Sequence, residues 1–197
     1  MIELTDIRKA YGSNVVLDKF NCQIEESAVT CIMGSSGQGK TTLLRILLGL
    51  EQPDSGQVSG MLNQRKSVVF QEDRLCENLS AVSNIRLVCQ KSIKMSNITE
   101  AITAVGLDPD CAKQTARSMS GGQRRRVAIL RALMADYDVL FMDEPFKGLD
   151  TQTKEKVMLY TKTRSHGKTV LFVTHDKTEC ELMCGRAIYI NGGALYG

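Results

Sequence analysis

The sequence predicts an α/β fold with a mostly parallel sheet, an N-terminal antiparallel β-subdomain and an inserted helical subdomain. Short apolar runs such as VLFM and TVLFV alternate with stretches of helical periodicity, which is typical of parallel strands buried on both faces. Residues 2–27 instead alternate apolar and polar side chains, as antiparallel strands do. From about residue 72 to 135 the pattern is helical. With 197 residues and 43% hydrophobic content, we expect one domain over residues 1–197.

The first part of the chain predicts a hairpin, a buried strand, a loop and a helix. The turn-prone stretch Gly12–Asn14 separates two antiparallel strands, and the apolar run Ala28–Met33 predicts a buried strand. A loop at Gly34–Lys40 leads into a helix at Thr41–Leu50. The stretch Glu51–Gly56 contains proline and glycine and predicts a turn.

The middle of the chain predicts one strand followed by helices. Ser67–Phe70 is a short strand candidate, and helical patterns then follow in NLSAVSNIRLVCQ, ITEAITAVGL and GGQRRRVAILRALM. Asn97 precedes the second of these patterns, and Glu100 lies three residues after Asn97. This spacing is typical of a capping box, so we expect a helix with Asn97 as its N-cap. The block over about 72–135 is therefore predicted to be a helical subdomain inserted in the sheet-containing core.

The last part of the chain returns to alternating strands and helices. Tyr137–Pro145 and Lys168–His175 are apolar runs that predict buried strands, with a helix at about Thr151–Arg164 between them. A short helix and a last strand from Arg186 complete the pattern. Polar residues at the carboxyl ends of these strands are expected to meet at one edge of the sheet, where ligands bind in open α/β folds.

Composition and charge exclude several classes of protein. A net charge of +3 with 24% charged residues is weak for a nucleic-acid binder, and Arg124–Arg126 are interpreted as solvated positions at a helix start. The N-terminus lacks the apolar run of a signal peptide, and no stretch approaches the ~20 apolar residues of a spanning helix. Any membrane role therefore requires another chain that crosses the bilayer.

The 7 cysteines are an odd number in a chain without an export signal, which favours free thiols in a reducing compartment. Cys180 and Cys184 are spaced so that they could share one helix face, but no second pair completes a metal site. We interpret them as buried or half-buried thiols.

The stretch GSSGQGKT fits the phosphate-loop pattern G-x-x-x-x-G-K-[ST] between a buried strand and a helix. Gly34, Gly37 and Gly39 allow backbone amides to approach phosphate oxygens. Lys40 supplies a mobile positive charge for the β- and γ-phosphates, and Thr41 supplies a hydroxyl for Mg²⁺. These residues predict a P-loop NTPase core that binds a nucleotide.

Acidic and polar side chains follow three other predicted strands. The strand VLFM delivers Asp143, which is expected to hold Mg²⁺ through water, and Glu144, which is expected to act as the general base. His175 follows the strand TVLFVT and is placed to contact the γ-phosphate. Gln71 follows SVVF, where its amide can bind Mg²⁺ and the attacking water.

Together these residues resemble the ATP-binding cassette family, the ATPase subunits of ABC transporters, over nearly the whole chain. The resemblance implies that Tyr11 stacks on adenine and that MSGGQ is the signature motif of the family. It assigns Asp150 to the D-loop, Gln71 to the Q-loop, Glu144 to the catalytic glutamate and His175 to the switch histidine. The residues it implies for nucleotide binding are Tyr11, Gly34, Ser35, Ser36, Gly37, Gln38, Gly39, Lys40, Thr41, Thr42, Ser120, Gly121, Gly122, Gln123 and Asp150.

The sequence departs from the family pattern at a few positions. Met119 replaces the usual leucine of the signature motif, which is a mild apolar exchange. Lys147-Gly148 replaces the commoner Ser-Ala of the D-loop and adds a charge beside a dimer contact. The chain is also expected to lack the C-terminal regulatory domain of many importer ATPases.

The resemblance also implies partners. Two copies would bind ATP with Mg²⁺ head to tail, as a homodimer or pseudo-dimer, so that the signature motif of one covers the ATP of the other. VVFQEDRL and DEPFKGLD are similar to importers of the nitrate, sulfonate and taurine group, which implies a permease docked at Asp73–Leu79 and a substrate-binding protein. The implied location is peripheral, on the cytoplasmic face of the membrane.

Two other functions remain open from the sequence alone. A soluble single-cassette ATPase, such as one that serves metal-cluster assembly, would carry the same motifs. A small-molecule kinase would use the phosphate loop but would leave the SGGQ motif and the Asp-Glu pair without a role.

Overall fold

The computed structural model describes residues 1–191 and 194–196. The strands in chain order are β1 (Ile2–Tyr11), β2 (Asn14–Ile24), β3 (Val29–Met33), β4 (Ser55–Ser59), β5 (Lys66–Val69), β6 (Val139–Asp143), β7 (Thr169–Val173), β8 (Arg186–Asn191) and β9 (Ala194–Tyr196). The α-helices are α1 (Lys40–Leu48), α2 (Ala81–Arg86), α3 (Met95–Ala104), α4 (Gly121–Leu133), α5 (Thr151–Arg164) and α6 (Lys177–Leu182). Short 3-10 turns lie at Cys111–Lys113 and Ala116–Ser118.

Within the described residues the larger sheet has the strand order β5–β6–β7–β3–β8–β9. Its first five strands are parallel, and β9 pairs antiparallel with β8. Every residue of β6 and β7 is buried, which explains why these strands appear in the sequence as unbroken apolar runs. The predicted mostly parallel α/β core is confirmed. Its parallel strands end at one edge, which therefore holds the loops after β3, β5, β6 and β7.

The antiparallel subdomain is a sheet with the strand order β2–β1–β4. The predicted hairpin is present, with its turn between Tyr11 and Asn14. The prediction of a turn over Glu51–Gly56 was only partly right, because β4 begins at Ser55 and pairs with β1. Four of the five β4 residues are exposed, so this edge strand lacks the apolar alternation from which strands are recognised.

Two helices of the middle block differ from their predictions. The pattern in NLSAVSNIRLVCQ yields only the short helix α2, which starts at the Ser80 cap where Ser83 N donates to Ser80 Oγ at 3.1 Å. The prediction of Asn97 as an N-cap was wrong, since α3 begins at Met95 after Lys94. Asn97 lies inside the first turn and its Oδ1 accepts the Lys94 amide at 3.2 Å. The Asn97 side chain therefore pairs with the backbone amide of Lys94 at the helix start, although Asn97 itself lies within the helix.

The described residues form two apolar clusters, one on each face of the larger sheet. Leu140 and Met142 of β6 belong to the cluster that contains the apolar residues of α2, α3 and α4. Val139 and Phe141 of the same strand belong to the cluster that contains β1, β2 and α1. Successive strand residues point to opposite faces, so β6 connects both layers. Its carboxyl end, at Asp143, is held from both sides.

None of the helices in the described part of the chain combines the length and the apolar character needed to cross a bilayer. Cys180 is buried as expected, but Cys184 is exposed and follows the end of α6. The two thiols therefore do not share a helix face. Over residues 1–191 and 194–196 no group of three or more His, Cys, Asp or Glu side chains is arranged to hold a metal ion.

Candidate functional site

The loop between β3 and α1 needs glycine for two physical reasons. At Gly34, whose φ is 150°, an added Cβ would lie 2.4 Å from the Ile190 carbonyl oxygen. At Gly39, with φ 92°, it would lie 2.8 Å from the Val16 carbonyl oxygen. Gly39 also precedes the first residue of α1, and glycine has no side chain to cap the first amides of that helix. These amides are free to bind an anion.

A cleft of about 290 Å³ opens over this loop. It brings together the predicted residues Ser36, Gly37, Gly39, Lys40, Thr41, Thr42, Gln71, Asp143 and Glu144. Three further lining residues were not predicted, namely Val16, Lys147 and Val173. Val16 and Val173 carry no chemical signal in the sequence, because ordinary strand residues line this cleft only through tertiary packing.

Lys40 and Thr41 face the cleft from the start of α1. Lys40 Nζ donates to the carbonyl oxygens of Gly34 at 2.8 Å and Ser35 at 2.6 Å. Burial lowers the pKa of Lys40, against the opposing charges of Glu144 and Asp143. Thr41 Oγ1 donates to Asp143 Oδ2 at 3.0 Å. A hydroxyl oxygen and a carboxylate are thus adjacent at the base of the cleft.

Asp143 is 4% exposed, and burial raises its pKa although the Thr41 hydroxyl, Arg125 and Lys40 stabilise its ionised form. A buried carboxylate with a raised pKa gains stability from an added cation. Mg²⁺ prefers oxygen ligands, and Thr41, Asp143 and the neighbouring Gln71 amide offer them here. The residues present therefore fit a Mg²⁺ ion.

Glu144 follows β6 with a φ of 44°, the left-handed region. Its amide donates to the Val173 carbonyl at 3.0 Å, which extends the pairing of β6 with β7. Glu144 Oε2 accepts Lys147 Nζ at 2.6 Å, and Oε1 lies 3.6 Å from His175 Nδ1. Lys147, followed by His175 and Lys40, lowers the pKa of Glu144. The carboxylate is therefore ionised at neutral pH, as a general base must be.

Arg125 connects the strand ends that carry Gln71, Asp143 and Glu144. Its guanidinium donates to the carbonyl oxygens of Phe70 at 2.6 Å, Pro145 at 2.7 Å, Glu144 at 2.7 Å, Asp143 at 2.9 Å and Gln71 at 3.2 Å. It also contacts Asp73 Oδ1 at 3.3 Å. The interpretation of Arg124–Arg126 as solvated was wrong for Arg125, which is 5% exposed. The sequence around Arg125 does not indicate that this arginine is buried, because its hydrogen-bond partners are backbone carbonyls from distant segments of the chain.

Some predicted nucleotide contacts lie outside the lining of the cleft. Tyr11 ends β1 with 46% exposure, and Lys9 Nζ lies 5.6 Å from its ring centroid. Ser35 takes part through its carbonyl, which holds Lys40. The described residues that line the cleft do not include Tyr11, Gly34, Ser35, Gln38 or His175. His175 reaches the site only through its position beside the Glu144 carboxylate.

The residues Ser120–Gln123 and Asp150 form a separate patch. Ser120 Oγ accepts the Gln123 amide at 3.2 Å, while Gln123 Oε1 accepts the Ser120 amide at 2.7 Å, so this capping box starts α4. Asp150 Oδ1 caps α5 by accepting the Thr153 amide at 3.0 Å. A Cβ at Gly122 would lie 3.7 Å from Leu149 Cδ2, so the two helix starts adjoin. None of these residues is among those that the structure shows lining the cleft.

Comparisons with known proteins agree with this arrangement. A family model described as ABC transporter matches residues 17–147. The aliphatic sulfonates import ATP-binding protein SsuB 2 of Paraburkholderia xenovorans (strain LB400) is 37% identical over 196 residues, which cover 98% of this chain and 78% of that protein. The spermidine/putrescine import ATP-binding protein PotA of Treponema pallidum (strain Nichols) is 33% identical over 98% of this chain and 55% of that protein.

Solved structures give the same result. A dimeric structure of MJ0796, described as a bacterial ABC transporter cassette, is 30% identical and superposes with a TM-score of 0.87. The match covers 100% of this chain and 97% of that one. A second dimeric structure of that cassette, in a post-hydrolysis state bound to ADP and Pi, gives a TM-score of 0.85 at 29% identity. The chain therefore belongs to the ABC transporter family, as an ATP-binding and ATP-hydrolysing cassette.

Proposed function

We propose that this chain powers the uptake of a solute through a separate membrane permease, by ATP-driven closure of two copies head to tail. The observation that carries the proposal is the separation of the two anion elements within one chain. The phosphate loop lines the cleft, whereas Ser120 is exposed at the start of α4 and lies outside the described lining. The capping box pairs the amides of Ser120 and Gln123 but not those of Gly121 and Gly122. Amides at a helix start favour an anion, so α4 is suited to the phosphates of an ATP that another copy holds.

Within one cleft, the residues divide the chemistry of hydrolysis. Lys40 exchanges its contacts with the Gly34 and Ser35 carbonyls for phosphate oxygens. Thr41, Asp143 and Gln71 would hold Mg²⁺, which neutralises phosphate charge when bound. Glu144 accepts the proton of the attacking water, and His175, whose Nδ1 lies 3.6 Å from the Glu144 carboxylate, orients that carboxylate and the γ-phosphate.

ATP can do coupling work only through a difference in its affinity for the open and closed dimers. In the closed dimer each ATP contacts the phosphate loop of one copy and Ser120–Gln123 with Asp150 of the other. Hydrolysis removes the γ-phosphate that joins the two surfaces, and the dimer opens. The dimeric state of the MJ0796 cassette supports this arrangement.

The stretch Asp73–Leu79 is proposed to dock the permease. Arg131 holds the carbonyls of Arg74 at 2.7 Å and Asp73 at 3.0 Å, and Arg125 contacts both the Asp73 carboxylate and the Gln71 carbonyl. A partner that binds at Asp73 would therefore be connected through Arg125 to Gln71 in the cleft. Exposed apolar side chains nearby in the sequence, at Leu79, Leu87 and Val88, suit an apolar partner surface.

A permease partner places the chain at the cytoplasmic face of the membrane, and a substrate-binding protein would act on the other side. The import names of SsuB and PotA support uptake, and the transporter names favour this role over metal-cluster assembly. Solute selectivity belongs to the permease.

The apolar cluster that joins α2, α3 and α4 to the larger sheet supports one domain over residues 1–197, with the helical part at about 72–135 inserted.

Replacing Ser120 with Arg tests the composite site. The bulky charge would occupy the dimer surface, so we expect the steady-state ATPase rate to fall by about 100-fold or more. ATP binding to the isolated monomer, measured by calorimetry without Mg²⁺, should stay within about threefold, because each ATP is held mainly by its own phosphate loop.

Ser92→Arg is the matched control, since it adds the same side chain to an exposed loop between α2 and α3. It should retain wild-type hydrolysis. A large loss of monomer binding in Ser120→Arg would show that Ser120 serves the ATP of its own chain and would contradict the composite site. Co-purification with a multi-span membrane protein tests the transport role separately.

A further inference from the structure

Lys147 places a second lysine at the nucleotide cleft, across from Lys40. Lys147 replaces the serine that is common at this point of the D-loop, and it lines the cleft together with Glu144 and the phosphate loop. Its Nζ donates to Glu144 Oε2 at 2.6 Å. The side chain of Lys147 is 60% exposed, whereas that of Glu144 is 20% exposed. The ion pair thus joins a mobile cation to a fixed carboxylate.

The local backbone keeps Lys147 close to the cleft. The Lys147 amide donates to the Glu144 carbonyl at 3.3 Å, which makes a tight turn after β6. The next residue, Gly148, has a φ of 80°, so the chain turns away directly after the lysine. The lysine stem therefore starts beside Glu144, and rotation about its own bonds is enough to carry Nζ from the carboxylate into the cleft.

The pair with Glu144 is suited to exchange. The pair is exposed on its lysine side, and an ion pair that water can reach contributes little net free energy. ATP brings a terminal phosphate with more than one negative charge into the same cleft, and charge-assisted contacts with phosphate are among the stronger hydrogen bonds. Lys40 already serves the loop side of the cleft, which leaves the β6 side of a bound terminal phosphate to Lys147.

We propose that Lys147 moves from Glu144 to the terminal phosphate of ATP, so that ATP, but not ADP, releases the Glu144 carboxylate for catalysis. The proposal rests on the assignment of this cleft as the ATP site and of Glu144 as the general base. With ADP or without nucleotide, Lys147 keeps the carboxylate paired. Lys147 then lets a single copy of the chain distinguish ATP from ADP before a second copy closes over the cleft.

The affinities of Lys147→Ala for ATP and for ADP test this inference. Both are measured by calorimetry on the monomer in EDTA, where no hydrolysis occurs. We expect the affinity for ATP to fall by about 3- to 30-fold and that for ADP to change by less than about twofold. Lys147→Arg should recover most of the ATP affinity because it keeps the charge. Lys156→Ala, which removes an exposed lysine from α5, should match the wild type for both nucleotides.

A double-mutant cycle separates exchange from a fixed ion pair. If Lys147 leaves Glu144 when ATP binds, Glu144→Gln raises the affinity for ATP more in the wild-type chain than in the chain that already carries Lys147→Ala. Equal effects, or equal losses for ATP and ADP in Lys147→Ala, would overturn the inference. Lys40→Ala reports on the underlying assignment, since it should weaken both nucleotides. If it weakens neither, the cleft itself is wrongly assigned, whatever Lys147 does.

Discussion

Glu144→Gln is expected to lower the steady-state ATPase rate by about 10²- to 10⁴-fold, which is the usual contribution of a general base. The amide has nearly the same shape but cannot accept the proton of the attacking water. Because Glu144 is held at the end of β6 by its own amide, which donates to Val173 at 3.0 Å, the substitution should leave the fold and the cleft intact. Phosphate release from ATP with Mg²⁺ measures the effect.

The same variant should accumulate a dimer in ATP and Mg²⁺, visible by size-exclusion chromatography, because ATP is bound but not consumed. Glu155→Gln is the matched control, since it makes the same chemical change at an exposed position of α5. Its hydrolysis should equal that of the wild type. If Glu144→Gln retains hydrolysis, another group acts as the base, and if it loses hydrolysis without dimerising, the proposed closure of two copies is wrong.

Arg125→Ala is expected to lower the free energy of unfolding by about 3–5 kcal/mol, the range for breaking a buried charge network from one side. The substitution leaves the buried carbonyls of Asp143 and Pro145, and the partly buried carbonyl of Phe70, without the guanidinium that donates to them. Unpaired buried acceptors are costly. Urea denaturation followed by circular dichroism measures the change. Hydrolysis should also fall under conditions where the variant is still folded, because the loops that carry Gln71 and Glu144 lose their common anchor.

Arg124→Ala is the control for this prediction. Arg124 is the preceding residue on α4, but its side chain is 40% exposed, so its loss should change stability by about 1 kcal/mol or less. Arg125→Lys separates charge from geometry, since lysine keeps the charge but lacks the planar set of donors. A wild-type unfolding curve for Arg125→Ala would show that the contacts of this guanidinium do not hold the strand ends together.

The elements predicted well from sequence are those with local signals. The helix α5 occupies the predicted residues Thr151–Arg164, because Asp150 supplies a cap. The strands β6 and β7 are apolar without interruption, since both of their faces are buried. The residues of the cleft follow from the same logic, because the carboxyl ends of parallel strands and the phosphate loop converge on one edge of the sheet.

The features that the sequence could not provide depend either on distant partners or on the exact geometry of a turn. The burial of Arg125 depends on carbonyls from the segments after β5 and β6, and nothing near Arg125 in the chain indicates them. The strand β4 is stabilised by backbone pairing with β1 rather than by an apolar face. The pair between Lys147 and Glu144 depends on how tightly the chain turns after β6, which the spacing alone does not determine.

The backbone of Glu144 shows that catalysis and folding make different demands at this position. A left-handed conformation with a side chain costs about 1–2 kcal/mol relative to the ordinary regions, and glycine would adopt it without that strain. The strain is retained because a glycine there would lose the carboxylate that faces Lys147 and His175. Sequence optimisation for thermal stability alone would thus select against the group that performs hydrolysis, so stabilised versions of this protein should keep position 144 fixed.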